Sequence, residues 1–168
     1  MTEQQQWPDP TYRPSAQGGP AAPVFTQTTV DSDDPHTLAA FWAGALGYLL
    51  EDNHDLVEAV LAAGYADRDS DVVEVDGRLA WRTGTGIVHP DDLGARRGTK
   101  RRILFQLVED RHQGKNSWHL DLNVGRENIE AEVARLTALG ATERYQVDEP
   151  GGFHTTMADP EGNLFCVQ

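Results

Sequence analysis

The chain has 168 residues, 39% of them hydrophobic and 24% charged, which suits one globular domain or two small modules sharing a core. With 14 basic against 27 acidic residues the formal charge is −13, a surface that repels phosphate backbones and anionic lipid, so nucleic acid and membrane make poor partners. No apolar run approaches the ~20 residues that span a bilayer, the N-terminus lacks the basic and apolar segments of a signal peptide, and a single cysteine permits no internal disulfide, so a cytoplasmic protein is expected.

Residues 1–23 are rich in Gln, Pro, Gly and Ala without apolar periodicity, and read as a disordered tail. Docking of that tail through Trp7 and Tyr12 is the alternative. Residues 24–30, "VFTQTTV", alternate as a strand. A helix follows over 35–46. Asp34 is its N-cap, Pro35 its first residue and Gly47 its stop, with Leu38, Phe41, Trp42, Ala45 and Leu46 at helical spacing. Residues 51–71 hold a short acidic helix with Leu56, Val57, Val60 and Leu61 on one side. Strands are expected at 72–75 and 78–83, joined by Asp76-Gly77 as a type I′ turn, and at 101–108. Residues 85–102 between them read as a Gly- and Arg-rich loop.

The second half repeats the order. Residues 117–124, "SWHLDLNV", alternate strictly, which places Trp118, Leu120, Leu122 and Val124 toward the helices and His119, Asp121 and Asn123 on the opposite face. The same alternation predicts a central strand packed under the following helix. That helix, "RENIEAEVARLTALGA", aligns Ile129, Val133, Leu136 and Leu139 and stops at Gly140. Strands at 143–148, 153–158 and 163–167 complete a strand–helix–three-strand unit written twice.

"DDPHTLAAFWAGALGY", "KNSWHLDLNV" and "MADPEGNLFCV", in this order and spacing, resemble the vicinal oxygen chelate (glyoxalase/bleomycin-resistance/dioxygenase) superfamily, in its bacterial glyoxalase-like branch. The resemblance covers residues 24–168 and implies an α+β fold. Two βαβββ modules, about 24–110 and 117–168, would form a curved mixed sheet around a cleft, with helices outside. In the superfamily's metal enzymes the ligands come from the first and last strand of each module. By position these are Gln27, Gln106, His119 and Cys166 here.

The donor chemistry argues against a metal. Gln27 and Gln106 are neutral amides, Cys166 ligates only as a thiolate, and His119 alone is a strong donor. Asp121 could add a carboxylate, away from the family arrangement. The first expectation is therefore a binder of a small organic molecule, without cofactor, in a cleft lined by Gln27, Trp81, Gln106, His119, Asp121 and Cys166. Any chemistry would use His119 as acid–base group oriented by Asp121. A second reading is a metal-dependent lyase, isomerase or dioxygenase with one divalent ion. A third is a protein-interaction module with a vestigial cleft, which predicts no cavity of the usual ~300 Å³ or more. Arg96, Arg97, Lys100, Arg101 and Arg102 form either a solvated loop or a lid for an anionic ligand. Lys115 and Asn116 could cap the cleft. His54, His89, His112 and His154 show no mutual metal spacing and are expected in loops or at the surface, and His36 is expected exposed in the first helical turn. Exposed sheet edges make a homodimer a plausible assembly.

Overall fold

A computed structural model describes residues 26–95, 99–112, 114–149 and 152–168. The tail over 1–23 with Trp7 and Tyr12, residues 24 and 25 of the first expected strand, and Arg96 and Arg97 lie outside the described residues.

The first module opens with β1 (Thr28–Ser32), which turns at Asp33-Asp34 into α1 (Pro35–Leu46). The Asp34 carboxylate accepts from the Thr37 N–H at 3.2 Å and caps the helix, and Pro35 lacks the N–H that would be orphaned there. Gly47 stops it at φ 66°, and the Tyr48 N–H donates back to the Ala43 carbonyl at 3.0 Å. Then come β2 (Leu49–Leu50), β5 (Gly84–Val88) and β6 (Arg102–Leu107), giving a sheet in the order β1-β6-β5-β2 with β1 and β6 parallel. The second module holds β7 (Asp121–Leu122), α4 (Ile129–Ala138), β8 (Thr142–Glu149), β9 (Gly152–Ala158) and β10 (Leu164–Val167). Its sheet runs β7-β10-β9-β8, again with the outer pair β7 and β10 parallel. The topologies match strand for strand, so this is an α+β fold of two βαβββ units.

Between β2 and β5 the first module carries an insertion of α2 (His54–Ala62), α3 (Arg68–Asp71), β3 (Val72–Val75) and β4 (Arg78–Trp81). Asp76 and Gly77 take φ of 50° and 76°, as a type I′ turn requires. Here the structure corrects the strand reading. Among the described residues the hairpin at 72–81 pairs only with itself, as a two-stranded sheet, and the module's own strand is 84–88, which takes up the start of the segment expected to be loop at 85–102. The physical reason is burial. Thr85, Gly86, Ile87 and Val88 are buried in the sheet beside β6, whereas Glu74, Val75 and Arg78 are exposed. Two glycines at alternate positions of β5 hid its period.

The strand expected over 117–124 is also corrected. Regular pairing is limited to Asp121–Leu122, at the edge of its sheet and not its centre. Backbone bonds from Cys166 N–H to the Leu120 carbonyl and from Val124 N–H to the Gln168 carbonyl continue the alignment. Leu122 is buried, and Leu120 and Val124 pack on the core. Trp118 does not, being 62% exposed.

One core joins the modules: Leu38, Phe41 and Trp42 of α1, Ile87, Phe105, Leu122, Ile129, Leu136, Met157, Phe165 and Val167. The Trp42 ring meets Phe41 and Phe165 edge-on at 5.3 and 5.1 Å. Polar latches lie beside it. The buried Asp159 accepts the Trp42 indole N–H at 3.1 Å, and Glu161 accepts from Ser32 Oγ at 2.7 Å and from the Asp34 N–H at 2.9 Å. From α4, Arg135 donates to the Gly44 and Ala45 carbonyls near the end of α1. No helix among the described residues is long and apolar enough to cross a membrane.

Candidate functional site

On the first sheet, Ile103 and Phe105 point toward α1, so the alternate positions Arg102, Leu104 and Gln106 share the opposite face. There Arg102 donates from Nε and Nη2 to the two Glu51 carboxylate oxygens at 2.8 and 2.6 Å, and from Nη1 to Gln27 Oε1 at 2.6 Å. These side chains are 11% and 21% exposed for Arg102 and Glu51. A bidentate pair of this kind is planar and geometrically fixed. It forms part of the floor of a concavity of about 1070 Å³, whose lining also includes Gln106, Trp81, Lys100 and the exposed leucines Leu49, Leu50, Leu56, Leu93 and Leu107. Trp81 and Leu56 are contributed by the insertion.

The insertion is held by histidines. His54 Nδ1 accepts the Leu79 N–H at 2.9 Å, and His36 Nε2 meets the Trp81 carbonyl at 3.0 Å. Both side chains are half-buried, which corrects the expectation of free surface imidazoles. His54 also clusters with Asp55 and Glu58, but its Nδ1 is already taken by β4.

On the second sheet, Asp121 and Cys166 face each other across the parallel β7–β10 pair, and Cys166 faces Thr156 across β10–β9. His119 Nε2 lies 3.3 Å from Asp121 Oδ1. One donor atom each from His119, Asp121 and Cys166 falls within 4.8 Å of the others. Burial pushes the Cys166 thiol above its ordinary value. The Thr156 hydroxyl, 3.8 Å away, opposes the rise, and the Asp121 carboxylate adds to it. The group therefore combines an imidazole, a carboxylate and a protonated thiol.

Asn116 pins the approach to this strand. Its Oδ1 accepts the Leu164 N–H at 2.8 Å and its Nδ2 donates to the Leu164 and Trp118 carbonyls. A second cavity of about 340 Å³ opens along the seam between β1 and this segment, lined by Thr29, Asp31, Trp42, Trp118, His119 and Phe165 among others.

The six residues read from the sequence thus fall into two groups. Trp81 and Gln106 line the first concavity, with Gln27 bonded to its Arg102, while His119, Asp121 and Cys166 meet on the second sheet. The basic segment divides as well. Arg101 turns outward to Asp92, whose carboxyl is held down at about 2 by the Arg101 guanidinium and N–H. Arg102 turns inward, and Lys100 donates to the Leu93 carbonyl. Glu51 was not singled out by sequence reasoning, since no local pattern links it to a partner 51 positions away.

The fold has counterparts among known proteins. A family model described as a glyoxalase-like domain matches residues 27–168. Among solved structures, a glyoxalase/bleomycin resistance protein/dioxygenase family enzyme from Burkholderia phytofirmans PsJN is similar at TM-score 0.55 and 16% identity, covering 86% of this chain and 97% of that one. A hypothetical protein from S. aureus is similar at TM-score 0.54 and 13% identity, covering 90% and 95%. The genomically encoded fosfomycin resistance protein FosX from Listeria monocytogenes follows at 0.52 and 12%, covering 84% and 88%. No curated protein matches significantly. Identities this low speak for the fold alone, but the family model spans both repeats, from the residue before β1 to the end of β10. The doubled βαβββ topology is accordingly that of the glyoxalase-like domain family, to which the chain belongs.

Proposed function

We propose that the protein binds a small organic molecule against the open face of its first module and acts as a sequestering, resistance-type binder without a metal. The observation that carries this reading is the concavity of about 1070 Å³ with a polar floor at Arg102, Glu51 and Gln106 and a rim of exposed leucines and Trp81. Apolar walls around a few fixed polar groups are what small-molecule sites share. Gln27 is poorly placed as a metal ligand, because the oxygen a metal needs already accepts from Arg102. Cavities of about 1070 and 340 Å³ weigh against an interaction module with a vestigial cleft. Titration with anilinonaphthalene sulfonate tests the reading. Saturable fluorescence enhancement is expected, weakened at least about tenfold in Leu50→Asp and Trp81→Ala. Unchanged binding in both variants would refute the assignment.

The cluster of His119, Asp121 and Cys166 favours a second reading, a divalent metal centre. Imidazole, carboxylate and thiolate are donor types that suit Zn²⁺, and three of them would fill three places of a tetrahedral set. The thiol would have to lose its proton on binding, against the direction its surroundings push it. Elemental analysis decides between the two. About one metal per chain, lost in both His119→Ala and Cys166→Ala, establishes the centre. A melting curve unmoved by chelator, with no bound metal, supports the metal-free reading.

A further inference from the structure

Resting on the small-molecule reading of the first module, we infer that the occupant of its concavity is a planar aromatic molecule, stacked on the Arg102–Glu51 pair. The argument begins at Gly86. In the sheet order β1-β6-β5-β2, Arg102 belongs to β6 and Glu51 directly follows β2, so the two residues flank β5. The Glu51 N–H donates to the Gly86 carbonyl at 2.9 Å, and Gly86 is the register partner of Leu104, whose side chain shares the face of Arg102. The two charged side chains therefore reach toward each other across the top of β5, where any other residue would raise a side chain between them.

A Cβ on Gly86 would lie 2.5 Å from Arg102 Nη2, 2.6 Å from Glu51 Oε2 and 2.8 Å from Arg102 Cζ. Three near-equal distances put the centre of the ion pair above this glycine. Gln27 Oε1 extends the layer at Nη1. The result is a charge-balanced plate over the Gly86 backbone, whose Arg102 and Glu51 line the cavity.

A plate of this kind selects by shape and polarisability. The guanidinium attracts the negative π face of an aromatic ring, and the compensating carboxylate removes the net charge that would draw in a simple anion. Trp81 and the leucine rim supply the walls, which accept the apolar edges of such a ring. A saturated molecule of the same size keeps the apolar contacts but loses the stacking.

Calorimetric titration with naphthol and with its saturated counterpart, decahydronaphthol, tests this on the full chain. Naphthol should bind about tenfold more tightly to the wild type. In the double variant Arg102→Met/Glu51→Leu the preference should fall to about twofold or less. Removing both charges together leaves no unpaired ion, so this variant should fold and keep the apolar walls that the saturated probe uses. Equal wild-type affinities, or a preference that persists in the double variant, would overturn the inference and leave the small-molecule reading intact. Failure of both probes to saturate the wild type would overturn both. The wild-type ratio alone can refute the proposal should the double variant not fold.

Discussion

Glu161→Ala is the sharpest test of how the two modules are held together. The Glu161 carboxylate accepts from Ser32 Oγ at 2.7 Å, from the Asp33 N–H at 3.1 Å and from the Asp34 N–H at 2.9 Å, and lies 3.6 Å from Arg111 Nε. Residues of the second module's last turn thereby tie down the β1–α1 corner of the first. Ser32 is fully buried, so its hydroxyl would lose its acceptor without gaining bulk water. Such an orphaned buried hydroxyl costs about 1–3 kcal/mol, and a hydrogen bond to a charged group contributes about 1.5–3 kcal/mol when shielded. The two backbone donors are exposed and recover most of their loss from solvent. The net expectation is a loss of about 3 kcal/mol in Glu161→Ala, or about 6–12 °C in Tm for a domain of this size. Glu161→Gln keeps one acceptor oxygen and should lose about 1 kcal/mol. Urea unfolding monitored by circular dichroism measures both, with the slope unchanged if only the native state is affected. A loss below about 1 kcal/mol in Glu161→Ala would refute the reasoning, because Ser32 would then have found another partner.

Thr155 is fully buried on β9 and its hydroxyl has no hydrogen-bond partner among the described residues, so Thr155→Val should stabilise the protein by about 1 kcal/mol in the same assay. Asp34→Ala should remove about 1 kcal/mol by uncapping α1, a difference present at pH 7. The Thr37 hydroxyl and N–H hold the Asp34 carboxyl below its usual range, so its contribution is full above the ordinary value near 3.8 and fades as pH falls through the lower native one; urea midpoints of the variant and wild type should converge there. Cys166 is buried and its thiol is pushed up, so iodoacetamide at pH 8 should alkylate the native protein at least about tenfold more slowly than the urea-unfolded chain; equal rates would contradict the placement.

Local chemistry was legible in the chain itself. Asp34-Pro35 at one end and Gly47 at the other bound α1 because capping, a missing proline N–H and a left-handed glycine act within one turn. Asp76-Gly77 marked its hairpin for the same reason, since a type I′ turn needs two residues at positive φ. The doubled order of strand and helix revealed the fold, and the alternation of 117–124 put His119 and Asp121 on one face. What the sequence could not decide was which strands share a sheet. The hairpin at 72–81 has the clearer alternation, yet β5, interrupted by Gly84 and Gly86, is the strand that pairs with β6. Pairing is settled by burial against α1 and by partners far along the chain, and neither leaves a local periodicity. The same holds for the site. Arg102 read as one cation in a basic loop, and only the sheet order brought it to Glu51 across a glycine that leaves the space free.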